Sequence, residues 1–447
     1  MQLPGESLGI IADDLTGACD TALQFHLEGD NTRVLLDYTV ASHASSTQAW
    51  VVHTDSRHLE HYDAVAAIKK SVHFLKEQVG LERFYKKIDS TLRGHIAQEC
   101  LAILEELRWS AAVIAPAYPD EGRRTVGGYQ IIRGLPVGQT ETAVDPLFPV
   151  RESHIPTLMG KTSDPSLVGY VSLSKVLDGA GPILVEIQSQ VQQGKKLIVV
   201  DACSDTDLEQ LSLAINKMPS DINILPCGSA GLAKALSRKW VVHRDHPVVQ
   251  AMHIEKSPLL IVIGTASRVT REQIQYFCEH FHTAVPRGRL VSVHFTPAQI
   301  LGLETVEKEI AYIIQALQDD ATVLVSSTFL ENNLLKTGIL AEEQDIAREQ
   351  IPQMVANLLG QVSQEVLAQV PVKLLLSGGD TANRVCKTIG VRSLQIVDQI
   401  TTSIPLMIDD QARWIITKSG GFGTETALLE IMRRLHTLES QEALPRA

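Results

Sequence analysis

The sequence predicts an α/β protein of two domains, each with a largely parallel sheet flanked by helices. Three observations carry this. Short apolar runs of strand length alternate with segments of helical period along most of the chain. Several of those runs, such as Leu8–Ala12 and Leu374–Leu376, pass through Asp or Gly directly into a helix, which is the strand–turn–helix step of a parallel layer. The alternation breaks at Val241–Ser257, where three histidines and Pro247 intervene, so 241–257 is read as a linker between domains at 1–240 and 258–447.

Composition narrows the function. With 447 residues, 44% hydrophobic and 21% charged, the chain has the make-up of an ordinary globular protein. Lys and Arg number 40 against 52 Asp and Glu, and the net charge of −12 argues against nucleic acid or an anionic membrane as partner. An anionic ligand then requires a local basic pocket. Six cysteines without a CxxC pair indicate neither a zinc site nor a disulfide framework. Acidic Glu6 and a single short apolar strand do not make a signal peptide, so a soluble cytoplasmic protein is expected.

In chain order, Leu8–Ala12 reads as a strand, Asp13-Asp14-Leu15-Thr16-Gly17 as its turn and Ala18–His26 as a helix. Open α/β sheets place ligands at the carboxyl ends of their strands, so Asp13 and Asp14 emerge at the expected edge, one able to contact ligand while the other shapes the turn. Strands at Thr32–Leu36 and Ala49–His53 follow, the second running into Thr54-Asp55-Ser56-Arg57, and a helix at Tyr62–Gln78. Phe84–Gly94 carries Lys87, Ile88, Asp89, Ser90 and Arg93 from a strand into the next turn, ahead of a helix over Gly94–Leu107. Lys87 and Arg93 suit a carboxylate or phosphate and Asp89 suits a hydroxyl proton or a polyol; helix capping by Asp89 and Ser90 is the bland alternative.

After a strand at Ala111–Ala115, residues 116–156 read as a long irregular stretch with a hairpin about Gly127-Gly128. The alternation resumes from Gly169, with a helix at Ile183–Gln192, strands at Leu197–Val200 and Ile222–Leu225, a helix at Thr206–Asn216 between them, and a helix opened by Cys227–Gly231. Gly160-Lys161-Thr162 is no Walker loop, because Ile155 stands where the earlier glycine belongs. In the second domain, strands at Leu259–Ile263, Leu290–Val293 and Thr322–Val325 alternate with helices from Thr270 and over Thr305–Leu317, and one long helical region spans Glu342–Gln369.

Two glycine junctions then follow. Leu374–Leu376 passes through Ser377-Gly378-Gly379 into a helix that Asp380 or Thr381 can cap, and Trp414–Thr417 passes through Lys418–Gly423 into a helix from about Thr424. Unpaired N–H groups at a helix start, with the positive end of its dipole, favour phosphate, and two such turns suit one polyphosphate.

Taken together, ADDLTGACD at Ala12–Asp20, KKIDSTLRG at Lys86–Gly94, GTASRVT at Gly264–Thr270, SGGDTA at Ser377–Ala382 and KSGGFG at Lys418–Gly423 resemble the four-carbon acid sugar kinase family, in order and over nearly the whole chain. The resemblance implies an N-terminal acid-sugar domain and a C-terminal nucleotide domain. It implies a kinase that uses ATP and Mg²⁺ to phosphorylate the terminal hydroxyl of threonate, erythronate or an oxo-tetronate. Carried over by motif, the acid-sugar site falls on Asp14, Arg57, Lys87, Ile88, Asp89, Ser90 and Arg93, and the ATP site on Ser267, Gly378, Gly379, Asp380, Thr381, Gly420 and Gly421. Either Asp14 or Asp89 is the catalytic carboxylate. Thr265 and His95 stand where the family pattern has Ser and Asn; the first keeps a hydroxyl and the second bears on substrate preference. A small-molecule sugar acid is the expected partner and a homodimer a candidate assembly. The rival readings are a non-catalytic sugar-acid sensor and a kinase for another aldonate; a dehydrogenase would need a GxGxxG turn that neither junction supplies.

Overall fold

The computed structural model describes residues 7–38, 47–145, 147–241, 254–327 and 333–440. Two compact units divide the chain, Met1–His243 and Arg244–Ala447. Most of the segment read as a linker, residues 242–253, lies outside the described residues. No described helix is long and apolar enough to cross a membrane.

The first unit is built on β1 (Leu8–Ala12), β2 (Thr32–Leu35), β3 (Ala49–His53), β4 (Arg83–Lys87) and β5 (Ala111–Ala115), then an inserted hairpin of β6 (Arg123–Val126), β7 (Tyr129–Ile132) and β8 (Leu135–Pro136), then β9 (Val168–Val171), β10 (Leu197–Val200) and β11 (Ile224–Gly228). Apart from the hairpin, these strands pair in parallel in the order β2-β3-β1-β4-β11-β5-β10-β9. β1, β3 and β5 are buried at every position, as apolar strands covered on both faces must be. Helix α1 (Leu15–Leu27) follows β1, α2 (His61–His73) precedes β4 and continues as one π turn over Phe74–Gln78, and α3 (Ile96–Leu107) follows β4. After β1 the chain moves out to β2 and β3, and after β4 it moves out the other way, so the topological switch lies between the carboxyl ends of β1 and β4. The register sets those ends level, with Ala12 opposite both His53 and Lys87. Three turns therefore meet there.

The second unit contains β12 (Leu259–Ile263), β13 (Leu290–His294), β14 (Thr322–Ser326), β15 (Lys373–Ser377), β16 (Ser393–Thr401), β17 (Ile404–Asp409) and β18 (Trp414–Lys418). The order is β13-β14-β12-β15-β18-β17-β16. The first five are parallel, and the last two fold back antiparallel. Here the switch lies between β12 and β15. The β16–β17 hairpin is absent from the sequence reading, because its run Ser393–Asp409 carries only a loose alternation, with half-buried residues on the outer strand. The long helix expected over 342–369 is two helices, Asn333–Glu343 and Ile351–Leu367. Asp345, at φ 52°, turns the chain between them, and Pro352 sits in the first turn of the second, where its missing N–H costs nothing.

The hairpin that interrupts the first sheet is tied down by one carboxylate. Asp201, fully buried just past β10, accepts hydrogen bonds from Gly127 N at 2.8 Å, Gly128 N at 2.9 Å, Leu173 N at 3.0 Å and Tyr170 OH at 2.6 Å. Its neighbour Ala202 pairs with Thr125. Replacing Asp201 by Ala strands these donors and is expected to destabilise the protein by on the order of 3 kcal/mol in urea unfolding, whereas Asp201→Asn, which keeps an acceptor, costs less.

Candidate functional site

At the first switch point the turns after β1, β3 and β4 converge on one side chain. Arg57, only 5% exposed, directs Nε to Asp13 Oδ2 at 2.9 Å and Nη2 to Asp14 Oδ1 at 2.8 Å, with Nη1 4.0 Å from Asp89 Oδ2. Adjacent aspartates reach one guanidinium from the bend that follows β1, where Asp14 is the extended N-cap of α1 at φ −136° and ψ 158°. Both loops that deliver cations contain a non-glycine residue in the left-handed region, Asp55 at φ 53° before Arg57 and Leu92 at φ 65° before Arg93. Such conformations persist only where surrounding contacts over-determine them.

Asp89 is the second node. Its Oδ2 accepts from Thr91 Oγ1 at 2.6 Å and Arg93 Nε at 2.5 Å, and its Oδ1 accepts from Thr91 N at 3.2 Å. Arg93 also reaches Asp145 at 3.2 Å. Asp89 thus shapes its own turn, and the helix beyond starts later than expected, at Ile96 with His95 as N-cap. Lys87 is 5% exposed and lies against α1 at Gly17, where a Cβ would collide with both Lys87 Nζ and Asp14 Oδ1. A Cβ on Gly94, at φ 94°, would stand 3.0 Å from Asp13 Oδ2. Ser90 is buried, and its carbonyl accepts from Gln130 Nε2 at 2.7 Å. Ile88 turns its side chain into the hydrophobic core instead.

These contacts set the charges. Burial works to raise the Asp14 carboxyl, but the Arg57 and Lys87 cations and the Thr16 hydroxyl, 2.7 Å away, hold it well below the usual carboxylate range. For Asp89 burial is likewise outweighed, by Arg93, Arg57, Lys87 and Thr91. Both acids are ionised throughout the neutral range.

Beneath the site lies a polar support that the sequence reading did not single out. Glu99, 1% exposed, takes Lys86 Nζ at 2.6 Å on one oxygen and Ser56 Oγ at 2.6 Å on the other. Ser56 Oγ lies 2.8 Å from Thr54 Oγ1, which donates to Ala12 O at 3.0 Å. The buried ion pair therefore holds the loop that carries Arg57 against β1. The one available signal is phase, since Glu99 shares the buried face of α3 with Ile96 and Ile103.

The second unit gathers its glycines at the other switch point. Gly378, at φ 105°, is the N-cap of the helix Gly379–Thr388, so Asp380 and Thr381 lie inside its first turn rather than capping it. A left-handed cap admits glycine, and the start of the helix moves forward accordingly. Thr265 packs into both glycine turns: a Cβ at Gly378 would lie 3.1 Å from Thr265 Cβ, and one at Gly420 2.5 Å from Thr265 Oγ1. Thr381 Oγ1 fills the corresponding space over Gly264. Ser267 is the N-cap of Arg268–Ala284, whose Thr270 Oγ1 donates to Gly420 O at 2.7 Å and whose Gln273 Nε2 donates to Phe422 O at 2.9 Å and Thr424 O at 2.8 Å. Ser267, Gly378–Thr381 and Gly420-Gly421 are thus drawn to one sheet edge. Ser377 Oγ and Thr417 Oγ1, at the ends of β15 and β18, are buried without a hydrogen-bond partner, which suits an edge built to meet polar ligand atoms.

Comparison with known proteins gives concordant matches for both units. Residues 8–236 match the family model of a sugar-binding N-terminal domain, and residues 260–428 that of a nucleotide-binding C-terminal domain. The chain is 32% identical to a D-threonate kinase of Salmonella typhimurium over 95% of this chain and 97% of that one. It is 27% identical to a D-erythronate kinase of Heliobacterium modesticaldum over 98% of each. A crystal structure from Salmonella typhimurium LT2 shares the fold, with a TM-score of 0.77 at 22% identity over 96% of this chain and 98% of that one.

The buried support predicts unequal costs. Glu99→Ala leaves Lys86 charged and unpaired and is expected to cost about 3–5 kcal/mol in urea unfolding, whereas Ser56→Ala costs about 1 kcal/mol and shows chiefly in activity through Arg57. The depressed carboxyls carry a pH signature. Their stabilisation is present above the unfolded carboxylate value, near pH 4, and is lost as pH falls through the folded values. In acid titrations of stability, Asp89→Asn should flatten that limb relative to wild type.

Proposed function

The chain belongs to the four-carbon acid sugar kinase family, and we propose that its reaction is transfer of the γ-phosphoryl group of ATP to the terminal hydroxyl of threonate, erythronate or 3-oxo-tetronate. The observation that carries the substrate half of this reading is the gathering of Asp13, Asp14 and Asp89 about Arg57, with the Lys87 ammonium beside them. A sugar acid presents one carboxylate and several hydroxyls. Arg57 and Arg93 are already engaged by protein carboxylates, so Lys87 is the cation assigned to the substrate carboxylate, and the aspartates accept from its hydroxyls.

Of the two candidate bases, Asp14 takes the hydroxyl-orienting role. Asp89 already accepts from Thr91 N, Thr91 Oγ1 and Arg93 Nε, whereas each Asp14 oxygen has a single partner, Arg57 on one and Thr16 on the other. A strongly acidic carboxyl suits phosphoryl transfer, in which the nucleophile is positioned more than deprotonated and the proton leaves late. ATP is assigned to the second unit, with phosphates at the start of Gly379–Thr388 and near Ser267 and Gly420-Gly421. Among the described residues no three His, Cys, Asp or Glu side chains gather into a metal cage. Mg²⁺ is assigned to the ATP phosphates, where it would offset their charge in phosphoryl transfer.

The test is ADP release with Mg-ATP across D- and L-threonate, D- and L-erythronate, 3-oxo-tetronates, glycerate and five-carbon aldonates. Turnover on one tetronate names the substrate; silence on every four-carbon acid with turnover on another aldonate moves the specificity. Lys87→Met should raise the acceptor KM at least about tenfold with the KM for ATP unchanged. Asp14→Asn should lower kcat by about 10²–10⁴, and an Asp14→Asn enzyme that kept its turnover would return the role to Asp89.

A further inference from the structure

Helix α1 presents a carboxyl group to the acid-sugar site that the reaction described above does not use. Asp20, 5% exposed, lies one turn beyond Gly17 on the same face of the helix, and Lys87 Nζ occupies the space beside Gly17. Tyr85 and Lys87 alternate onto one face of β4. Tyr85 is fixed by donating its hydroxyl to Ser229 O at 2.5 Å, and it too feels the Asp20 charge. From the turn Pro119–Glu121 comes buried Glu121, paired with Arg123 at 3.4 Å. Asp14 faces the group from the start of α1, and Gln24 Nε2 donates to Asp20 Oδ1 at 3.4 Å from one turn further along. Asp20 is thus a nearly enclosed carboxyl with one long hydrogen bond, set between a lysine and two other acids.

We propose that Asp20 is a positioning residue for the acid-sugar site, a buried carboxyl behind Lys87 that directs the ammonium towards the substrate when protonated and draws it back into the protein when ionised. The inference rests on the reading that Lys87 meets the substrate carboxylate. Burial, reinforced by Glu121 and Asp14 and opposed by Lys87 and Gln24, pushes the Asp20 acid up to about 8. At neutral pH the group is a neutral acid, so Lys87 has no competing anion on that side. Above this value Asp20 becomes an anion and competes with the sugar acid for the same cation. The step is acid dissociation: the Asp20 O–H bond breaks, its proton passes to water, and no other bond changes.

The sign of the accompanying stability change follows. An acid raised in the folded state contributes stability that is present below the unfolded value, near pH 4, and lost as pH rises through the folded value, about 8. Asp20→Asn removes that slope.

The experiment is acceptor KM, ATP KM and kcat of the full chain from neutral to alkaline pH, for wild type, Asp20→Asn and Glu121→Gln, with Lys87→Met as reference. In wild type the acceptor KM should rise as pH passes about 8 while the ATP KM stays flat. Asp20→Asn should abolish the rise. Glu121→Gln, which removes a neighbouring negative charge, should move it to lower pH, a displacement that a merely structural role would not produce. A wild-type acceptor KM without an alkaline limb, a limb retained in Asp20→Asn, or one unmoved in Glu121→Gln would overturn the proposal; should Asp20→Asn fail to fold, the Glu121→Gln profile decides. If Lys87→Met leaves the acceptor KM unchanged, the assignment of Lys87 to the substrate carboxylate fails instead.

Discussion

Arg57 is a buried cation, and the carboxyl edge of the first sheet is arranged around its need for partners. A guanidinium removed from water loses several kcal/mol of hydration, which only close and well-aligned carboxylates restore. Asp13 and Asp14 supply them from β1 and Asp89 stands by from β4, so three turns distant in sequence must arrive at one height. The register of β1, β3 and β4 delivers that height, and the Lys86–Glu99–Ser56 chain below keeps the Arg57 loop from drifting. The glycines at 17 and 94 follow from the same crowding, since any side chain there would strike Lys87, Asp14 or Asp13.

The two units solve a similar problem with different chemistry. Each is a largely parallel sheet whose strand order reverses beside a central strand, and each collects its polar groups at that reversal. In the first, ionised side chains pair with one another about Arg57, and the proposed reaction gives Lys87 and Asp14 to the sugar acid. In the second, small residues bring backbone close: Thr265 wedges between Gly378 and Gly420, and helix Arg268–Ala284 holds the second turn through Thr270 and Gln273. Side-chain charge suits a ligand whose hydroxyl stereochemistry must be read. Backbone N–H groups at a helix start suit a polyphosphate, which needs charge and close approach.

Several elements were legible because their signals are local. Apolar runs bounded by Asp or Gly marked β1, β12 and β15, and the clustering of Lys87, Asp89, Ser90 and Arg93 marked the end of β4 and the turn after it. Other elements were not. The β16–β17 hairpin has too weak an alternation to stand out, and the break between Asn333–Glu343 and Ile351–Leu367 depends on a left-handed Asp345 and on Pro352 as a starter rather than a breaker. Glu99 and Asp201 read as ordinary acids in sequence, yet both are almost wholly buried and organise loops.

By itself the sequence determined the layer type, the places where strands hand over to helices, and the residue types at those junctions, because period and turn chemistry act over a few residues. Tertiary structure alone decided who pairs with whom. Arg57, expected in the acid-sugar site as a basic residue after a strand, becomes the hub about which Asp13, Asp14 and Asp89 gather. Arg93 reads as a ligand contact and is engaged by Asp89 and Asp145, while Lys87 lies against Gly17 and Asp20 becomes a buried acid behind it. Ion pairing and acid strength depend on separations of a few ångströms and on exclusion of water. Both are set only when strands and helices far apart in the chain have closed around one another.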